Sequence, residues 1–165
     1  MSRSGYSDDC GDDDPLVLGR WRGAVKSAIY GKRGQAMLSE LLTALDDMPN
    51  KRLAANSLVN AEGEFCTLGV LGAKRGIDLE SLDPEDYDQV AAAFGVNAKV
   101  VQEIVYHNDE GYFRWEYVRR FKPEVGPDVP MHLDQVRIEL DEGARRWKVM
   151  RDWVARHIKQ EAVIP

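Results

Sequence analysis

The side chains best suited to covalent chemistry are a cysteine, Cys66, and a histidine–aspartate set, His107 and Asp109. Cys66 lies where an extended segment is predicted to enter a helix, and the unpaired amides and dipole of a helix N-terminus lower the pKa of a thiol. A histidine base oriented by a carboxylate would complete a set for nucleophilic catalysis. The alternative is that Cys66 is an apolar core residue beside Phe65 and Leu68 and that His107 ends a helix, where positive charge is favourable.

The sequence predicts no metal ion and no cofactor. Its aspartates between positions 8 and 14 lack the alternating spacing, central glycine and final glutamate of a calcium loop. None of the three histidines has a cysteine or another histidine at zinc-ligand spacing. The glycines at 69, 72 and 76 are not followed by the Lys-Ser/Thr pair of a phosphate-binding loop.

Charge is distributed unevenly along the 165 residues, whose net charge is −6. Residues 15–52 carry seven bases against three acids, and residues 53–111 carry three bases against eleven acids. Two interpretations remain open. The charges are solvated helix faces, or the molecule has two oppositely charged binding faces.

A basic segment is the candidate for nucleic-acid binding, because phosphate contacts require clustered cations. The sequence isoelectric point of about 5.1 argues against this function, and Trp21 falls on an apolar helix face rather than on a base-stacking platform. The residues that would make the contacts are Arg20, Arg22, Lys26, Lys32 and Arg33.

Protein-binding candidates lie in two other segments. Residues 78–88 contain six acids in eleven positions, which would suit a basic groove on a partner, as a nucleic-acid mimic does, although helix capping explains part of the set. Residues 112–121 are rich in aromatic side chains, and aromatic and Arg side chains are common at interface hot spots. The candidates are Asp83, Glu85, Asp86, Trp115, Tyr117, Arg119 and Arg120.

Apolar spacing predicts the helices that position these groups. Residues 18–29 and 38–48 repeat the helical period and predict a helical hairpin that ends before Pro49. Asp83 as N-cap and Pro84 at the first helical position predict a helix that ends at Gly95, and Asn97 is predicted to cap the next one. The segment 141–158 predicts a last helix, with Glu142/Arg146 among its i,i+4 ion pairs.

The segment between the second and third helices predicts a small β-hairpin. Residues 57–59 and 64–66 flank a turn at 60–63, after which Thr67 is predicted to cap a short helix through Lys74. Gly69 and Gly72 in that helix indicate close packing of another element. We expect Asn108 and Asp109 to lie near it as a hydrogen-bonding centre, because their side chains readily satisfy backbone amides at helix ends.

The sequence therefore predicts a mainly α fold. A single compact domain of about six helices with one small β-hairpin spans residues 15–165, after a disordered acidic tail at 1–14. Residues 112–140 form an aromatic and proline-containing insert, in which 136–140 fits either a strand or a helix. No apolar run approaches the ~18 residues of a membrane span and no leader is evident, so we expect a cytoplasmic protein with no membrane partner.

Several segments resemble small proteins encoded by tailed bacteriophages and prophages of proteobacteria. They include a Cys-x-Leu-Gly element, an Asp-Pro-Glu-Asp turn, Asn-Asp-Glu and Arg-Trp-x-x-Met-Arg-x-Trp-Val, within residues 19–29, 31–36, 41–53, 63–69, 83–86, 108–110 and 146–154. The resemblance implies provenance rather than mechanism. The chain departs from that family at His107, where the family has Glu or Leu, and in residues 112–140, a segment that is shorter there. Both departures count against Cys66–His107 catalysis.

These observations predict a non-enzymatic phage accessory protein that binds a host or phage macromolecule in the host cytoplasm, as an inhibitor of a host enzyme or defence system would. The first alternative is a nucleic-acid-binding regulator that uses the basic segment at 20–33. The second is a thiol-dependent enzyme that uses Cys66.

Overall fold

A computed structural model of the chain describes residues 15–110 and 141–159. As predicted, the structure is mainly helical. Its helices are α1 (Pro15–Tyr30), α2 (Lys32–Asp47), α3 (Thr67–Arg75), α4 (Tyr87–Phe94), α5 (Ala98–Asp109) and α6 (Glu142–His157). The predicted tail at 1–14 and the predicted insert at 112–140 lie outside the described residues.

The first two helices form the predicted hairpin. Val25 and Ile29 of α1 are buried, as are Leu41 and Leu45 of α2. Gly34 allows the two helices to approach closely, because a Cβ added there would lie 2.2 Å from the carbonyl oxygen of Ala28. A larger residue at this position would force the hairpin apart.

All six helices contribute to one hydrophobic cluster. α2 packs against α1, α3 and α6, and α5 packs against α1, α3, α4 and α6. Leu38, Leu71, Val100, Ile104 and Met150 are completely buried, and burial of such a side chain contributes about 1.5–3 kcal/mol. α2 and α5 are therefore the central helices of the fold, and between them they contact the other four helices.

The predicted β-hairpin is not formed as paired strands within the described residues. Its segments meet in one isolated antiparallel bridge, between Val59 and Phe65. The turn itself is present, since the Asn60 side chain accepts hydrogen bonds from the amides of Glu62 and Glu64. The pairing cannot lengthen because the chain bends before Val59 and enters α3 directly after Cys66.

Two predicted helix caps are displaced along the chain. Cys66, rather than Thr67, caps α3, with its sulfur accepting a hydrogen bond from the Gly69 amide. Asp86, rather than Asp83, caps α4, because the Asp83 carboxylate already accepts the Glu85 amide in a turn of its own. The predicted Asn97 cap of α5 is confirmed.

The predicted ion pair between Glu142 and Arg146 on α6 is wrong. Arg146 is buried and donates to the backbone carbonyls of Asn108 and Leu53, both at 2.9 Å. Arg146 lies four residues before the buried Met150, so it shares the inward face of the helix.

Within residues 15–110 and 141–159, no helix is long and apolar enough to cross a membrane.

Candidate functional site

Six carboxylates form a continuous acidic segment at the start of α4 and in the loop before it. All six side chains are exposed, and none forms an ion pair within the described part of the chain. Residues 77–98 contain no Lys, Arg or His that could neutralise them. We call this set the acidic surface, and its members are Asp78, Glu80, Asp83, Glu85, Asp86 and Asp88.

Hydrogen bonds to nearby backbone amides account for only two members of the acidic surface. The Asp83 carboxylate accepts the Glu85 amide at 2.9 Å, and the Asp86 carboxylate accepts the Gln89 amide at 2.9 Å. Asp88 lies in the first turn of α4, where a negative charge is favourable. The side chains of Glu80 and Glu85 accept no hydrogen bond from described residues, so local structure does not require their charges.

An open groove continues the acidic surface between α4 and α5. It has a volume of about 860 Å³, and its lining includes Glu85, Asp86 and Asp88 on the α4 side and Lys99 and Gln102 on the α5 side. Lys99 donates to Gln102 at 3.0 Å and forms no ion pair with a carboxylate of the described residues, so its positive charge lies on the α5 side of the groove, opposite the acidic wall. The groove therefore offers an acidic wall to a basic side chain.

Five cations form the opposite kind of surface. Arg20, Arg22 and Lys26 are exposed on α1, and Lys32 and Arg33 are exposed in the first turn of α2. None of the five forms an ion pair within the described residues, and residues 15–39 contain no acid. We call these five side chains the basic surface.

Three cations outside the basic surface join different elements of the fold. Arg52 pairs with Glu64 and Asp141, and Arg75 pairs with Glu40 at 2.8 Å. Lys74 of α3 pairs with Asp47 of α2 at 2.9 Å. Exposed pairs of this kind contribute ~0–1 kcal/mol each.

The bond between α6 and the end of α2 shows the electrostatic effect of such a pair. Arg151 donates to both carboxylate oxygens of Asp46, at 2.7 and 3.1 Å. That hydrogen bonding holds the pKa of Asp46 below its usual value, against a smaller opposing effect of desolvation, and raises the pKa of Arg151. Among the described residues, no ion pair of this kind involves the acidic or the basic surface.

The predicted catalytic residues have other partners. Cys66 is 2% exposed and caps α3. The His107 ring stacks 5.1 Å from Trp153 and its Nε2 lies 3.1 Å from Glu103. Within residues 15–110 and 141–159, no hydrogen bond joins Cys66 to His107, and no group of three or more His, Cys, Asp or Glu side chains is arranged to hold a metal ion.

Asn108 forms the predicted hydrogen-bonding centre. Its Oδ1 accepts from the Thr67 amide at 3.1 Å and from the Thr67 hydroxyl at 2.7 Å, and its Nδ2 donates to the Ala54 carbonyl at 3.0 Å. Asp109 accepts the amide of Asn56, which has a left-handed φ of 60°. The buried Arg146 donates to the Asn108 carbonyl. This centre joins α3, α5, α6 and the chain before α3, so its role is structural.

Sequence reasoning missed one further joining residue, Gln35. Its Nε2 donates to the carbonyls of Ile29 and His157, and its Oε1 accepts the Lys159 amide. The residue therefore satisfies the ends of α1 and α6 from within α2. No sequence pattern indicates the contact with α6, because His157 and Lys159 lie 122 and 124 residues from Gln35.

The remaining binding candidates, Trp115, Tyr117, Arg119 and Arg120, lie outside the described residues. The candidate functional features of the described chain are thus the acidic surface with its groove and the basic surface. In comparisons with known proteins, no family model, no curated protein and no solved structure matches this chain.

Proposed function

We propose that the protein is a non-enzymatic phage or prophage accessory protein that acts in the host cytoplasm by binding a host or phage protein through the acidic surface. The phage origin is suggested by the sequence resemblance. The observation that carries the binding function is the set of six exposed carboxylates that have no ion-pair partner among the described residues.

The chemistry of the acidic surface favours a basic partner. A charged surface raises the association rate with a complementary partner and disfavours partners of like charge. A protein surface that normally contacts nucleic acid has the required positive charge. An inhibitor that occupies such a surface on a host enzyme or defence protein is the function that these observations support best.

The groove between α4 and α5 supports the same proposal. Its acidic wall is formed by Glu85, Asp86 and Asp88, so a protruding Arg or Lys of the partner would enter between two helices rather than meet a flat surface. Arg is the expected anchor, because its planar guanidinium can donate two hydrogen bonds to one carboxylate.

Affinity purification of the full chain from host cells, with nuclease treatment, tests this function. The test variant is Glu80→Gln/Glu85→Gln, and the matched control is Glu62→Gln/Glu142→Gln, which removes two exposed acids elsewhere. We expect one basic protein to be recovered with the wild type and the control but to be depleted with the test variant. Equal recovery with both variants, or no partner at all, would contradict the proposal.

A second candidate function is nucleic-acid binding by the basic surface, and the observation that favours it is the absence of ion pairs for its five cations within the described residues. If all five contact phosphates of duplex DNA, log K should fall with log salt concentration at a slope of about −4.5. A fluorescence anisotropy titration between ~50 and ~200 mM salt measures this slope. No binding at ~50 mM salt would exclude this function.

A further inference from the structure

Neither charged surface has an ion-pair partner among residues 15–110 and 141–159. The basic surface has five cations in 25 residues without an acid, and the acidic surface has six acids in 22 residues without a base. α1 carries part of the basic surface and α4 carries part of the acidic surface. Both helices pack against α5. Like charges held together repel, and that repulsion is relieved when an opposite charge is supplied from outside.

We propose that the two surfaces bind each other between molecules, so that the basic surface of one copy docks on the acidic surface of a second copy. This inference uses the same acidic surface as the proposed function but requires no external partner. It adds regulation to that function, because self-association would cover the surface that a basic partner needs.

The shapes of the two surfaces are compatible with this contact. Arg22 and Lys26 are four residues apart on α1 and therefore lie on the same helix face. The groove between α4 and α5 is open to solvent and has carboxylates along one wall. A helix that presents a row of long cationic side chains can place them in such a groove while its backbone stays outside.

Ionic strength decides whether this local attraction exceeds the overall repulsion. Each copy carries a net charge of −6, so two copies repel at long range when the Debye length is ~30 Å, near 0.01 M salt. Near 0.1 M salt the Debye length is ~10 Å, and only the facing surfaces interact strongly. Association should therefore be strongest at intermediate salt and be lost near ~0.5 M.

Two charge-reversal variants and their mixture test the contact. Glu80→Lys/Glu85→Lys reverses part of the acidic surface, and Arg22→Glu/Lys26→Glu reverses part of the basic surface. Glu62→Lys/Glu142→Lys is the matched control, since both residues are exposed and lie outside the two surfaces. The full-length proteins are treated with nuclease, checked for unchanged circular dichroism, and measured by sedimentation equilibrium from about 10 to 500 µM, the range in which weak association becomes visible.

We expect the apparent mass of the wild type and the control to exceed the monomer mass of 18.6 kDa near 0.1 M salt. Each surface variant alone should associate at least about tenfold more weakly, and an equimolar mixture of the two should regain association. The proposal is overturned if the wild type stays monomeric, if the mixture does not regain association, or if the control is weakened equally. Loss of the mass excess on nuclease treatment would also overturn it, since nucleic acid would then bridge the copies.

The result of the sedimentation experiment does not depend on the result of the affinity purification. Sedimentation uses the purified chain alone, so a failure to self-associate leaves the binding function standing. Conversely, recovery of no basic partner leaves the self-association intact.

Discussion

Replacement of Asn108 by alanine should destabilise the protein more than any exposed polar substitution. The Asn108 side chain is 1% exposed and is bonded to the Thr67 amide, the Thr67 hydroxyl and the Ala54 carbonyl. Asn108→Ala leaves all three groups without this partner in a buried site, where Thr67 is 0% and Ala54 is 3% exposed. The substitution therefore acts on the junction between α3, α5 and the chain before α3.

The magnitude follows from the three partners. A buried polar group left unsatisfied costs ~1–3 kcal/mol. The Thr67 hydroxyl can rotate and recover part of its loss, so we expect a total of about 3–4 kcal/mol. A domain has a free energy of unfolding of ~5–15 kcal/mol, so the variant should remain folded at low temperature with a much lower urea midpoint.

Urea unfolding followed by circular dichroism at pH 7 provides the measurement. Thr67→Val removes the hydroxyl alone, and the double variant closes a cycle that should give a coupling energy of about 1–2 kcal/mol. Asn97→Ala is the control, because it removes an exposed cap that is worth ~1 kcal/mol. A loss below ~1 kcal/mol for Asn108→Ala would refute the reasoning, since three buried groups cannot lose a partner at that cost.

The isosteric change Asn108→Asp separates hydrogen bonding from packing. The Nδ2 position would become an oxygen that faces the Ala54 carbonyl and the Asp109 carboxylate. We expect burial and the neighbouring Asp109 carboxylate to raise the pKa of the new carboxyl above its unfolded value of ~3.9, against the two Thr67 donors at Oδ1, which favour the charged form. Its protonated form can donate to Ala54, so stability should be highest below the unfolded pKa and be lost as the pH rises through the folded pKa.

Three further predictions concern packing, the buried thiol and the acidic surface. Gly69→Ala should destabilise by roughly 1–3 kcal/mol in urea unfolding, because a Cβ at Gly69 would lie 2.0 Å from a backbone carbonyl oxygen; unchanged stability would show that α3 can shift. In a Cys10→Ser background, Cys66 should react with a thiol reagent only as fast as the protein opens, because it is 2% exposed; rapid labelling of the native state would restore the thiol-enzyme alternative. Glu80→Gln/Glu85→Gln should raise the free energy of unfolding by a few tenths of a kcal/mol, through reduced repulsion, and lower partner recovery; a loss of stability would indicate a structural role.

The helices could be predicted from the sequence because their signals are local. The apolar spacing in α1 and α2, the Asn97 cap and the glycine at the end of α4 each act within a few residues. Choosing between adjacent caps requires the path of the incoming chain. Asp83 and Asp86 are equally good caps by residue type, and only the turn that occupies Asp83 excludes it.

The role of Arg146 could not be predicted from neighbouring residues in the sequence. Its sequence context favours an ion pair with Glu142, which lies one helical turn away. In the structure it donates to carbonyls 38 and 93 residues distant. Its spacing from Met150 was the available signal for burial, but the carbonyls that make burial favourable are brought together only by the tertiary fold.

The same limit applies to the charged surfaces, and it explains why the structure adds to the functional argument. The sequence contains the clusters, but it does not distinguish the cations that join elements from those that remain unpaired. Arg52 reaches Asp141, 89 residues away, whereas Arg22 and Lys26 have no ion-pair partner in the described chain. The core and the joining pairs connect the helices, and of the acidic surface only Asp83 and Asp86 add hydrogen bonds to the described backbone. Because ion pairing within the described residues does not explain these charges, we propose that both clusters bind oppositely charged surfaces.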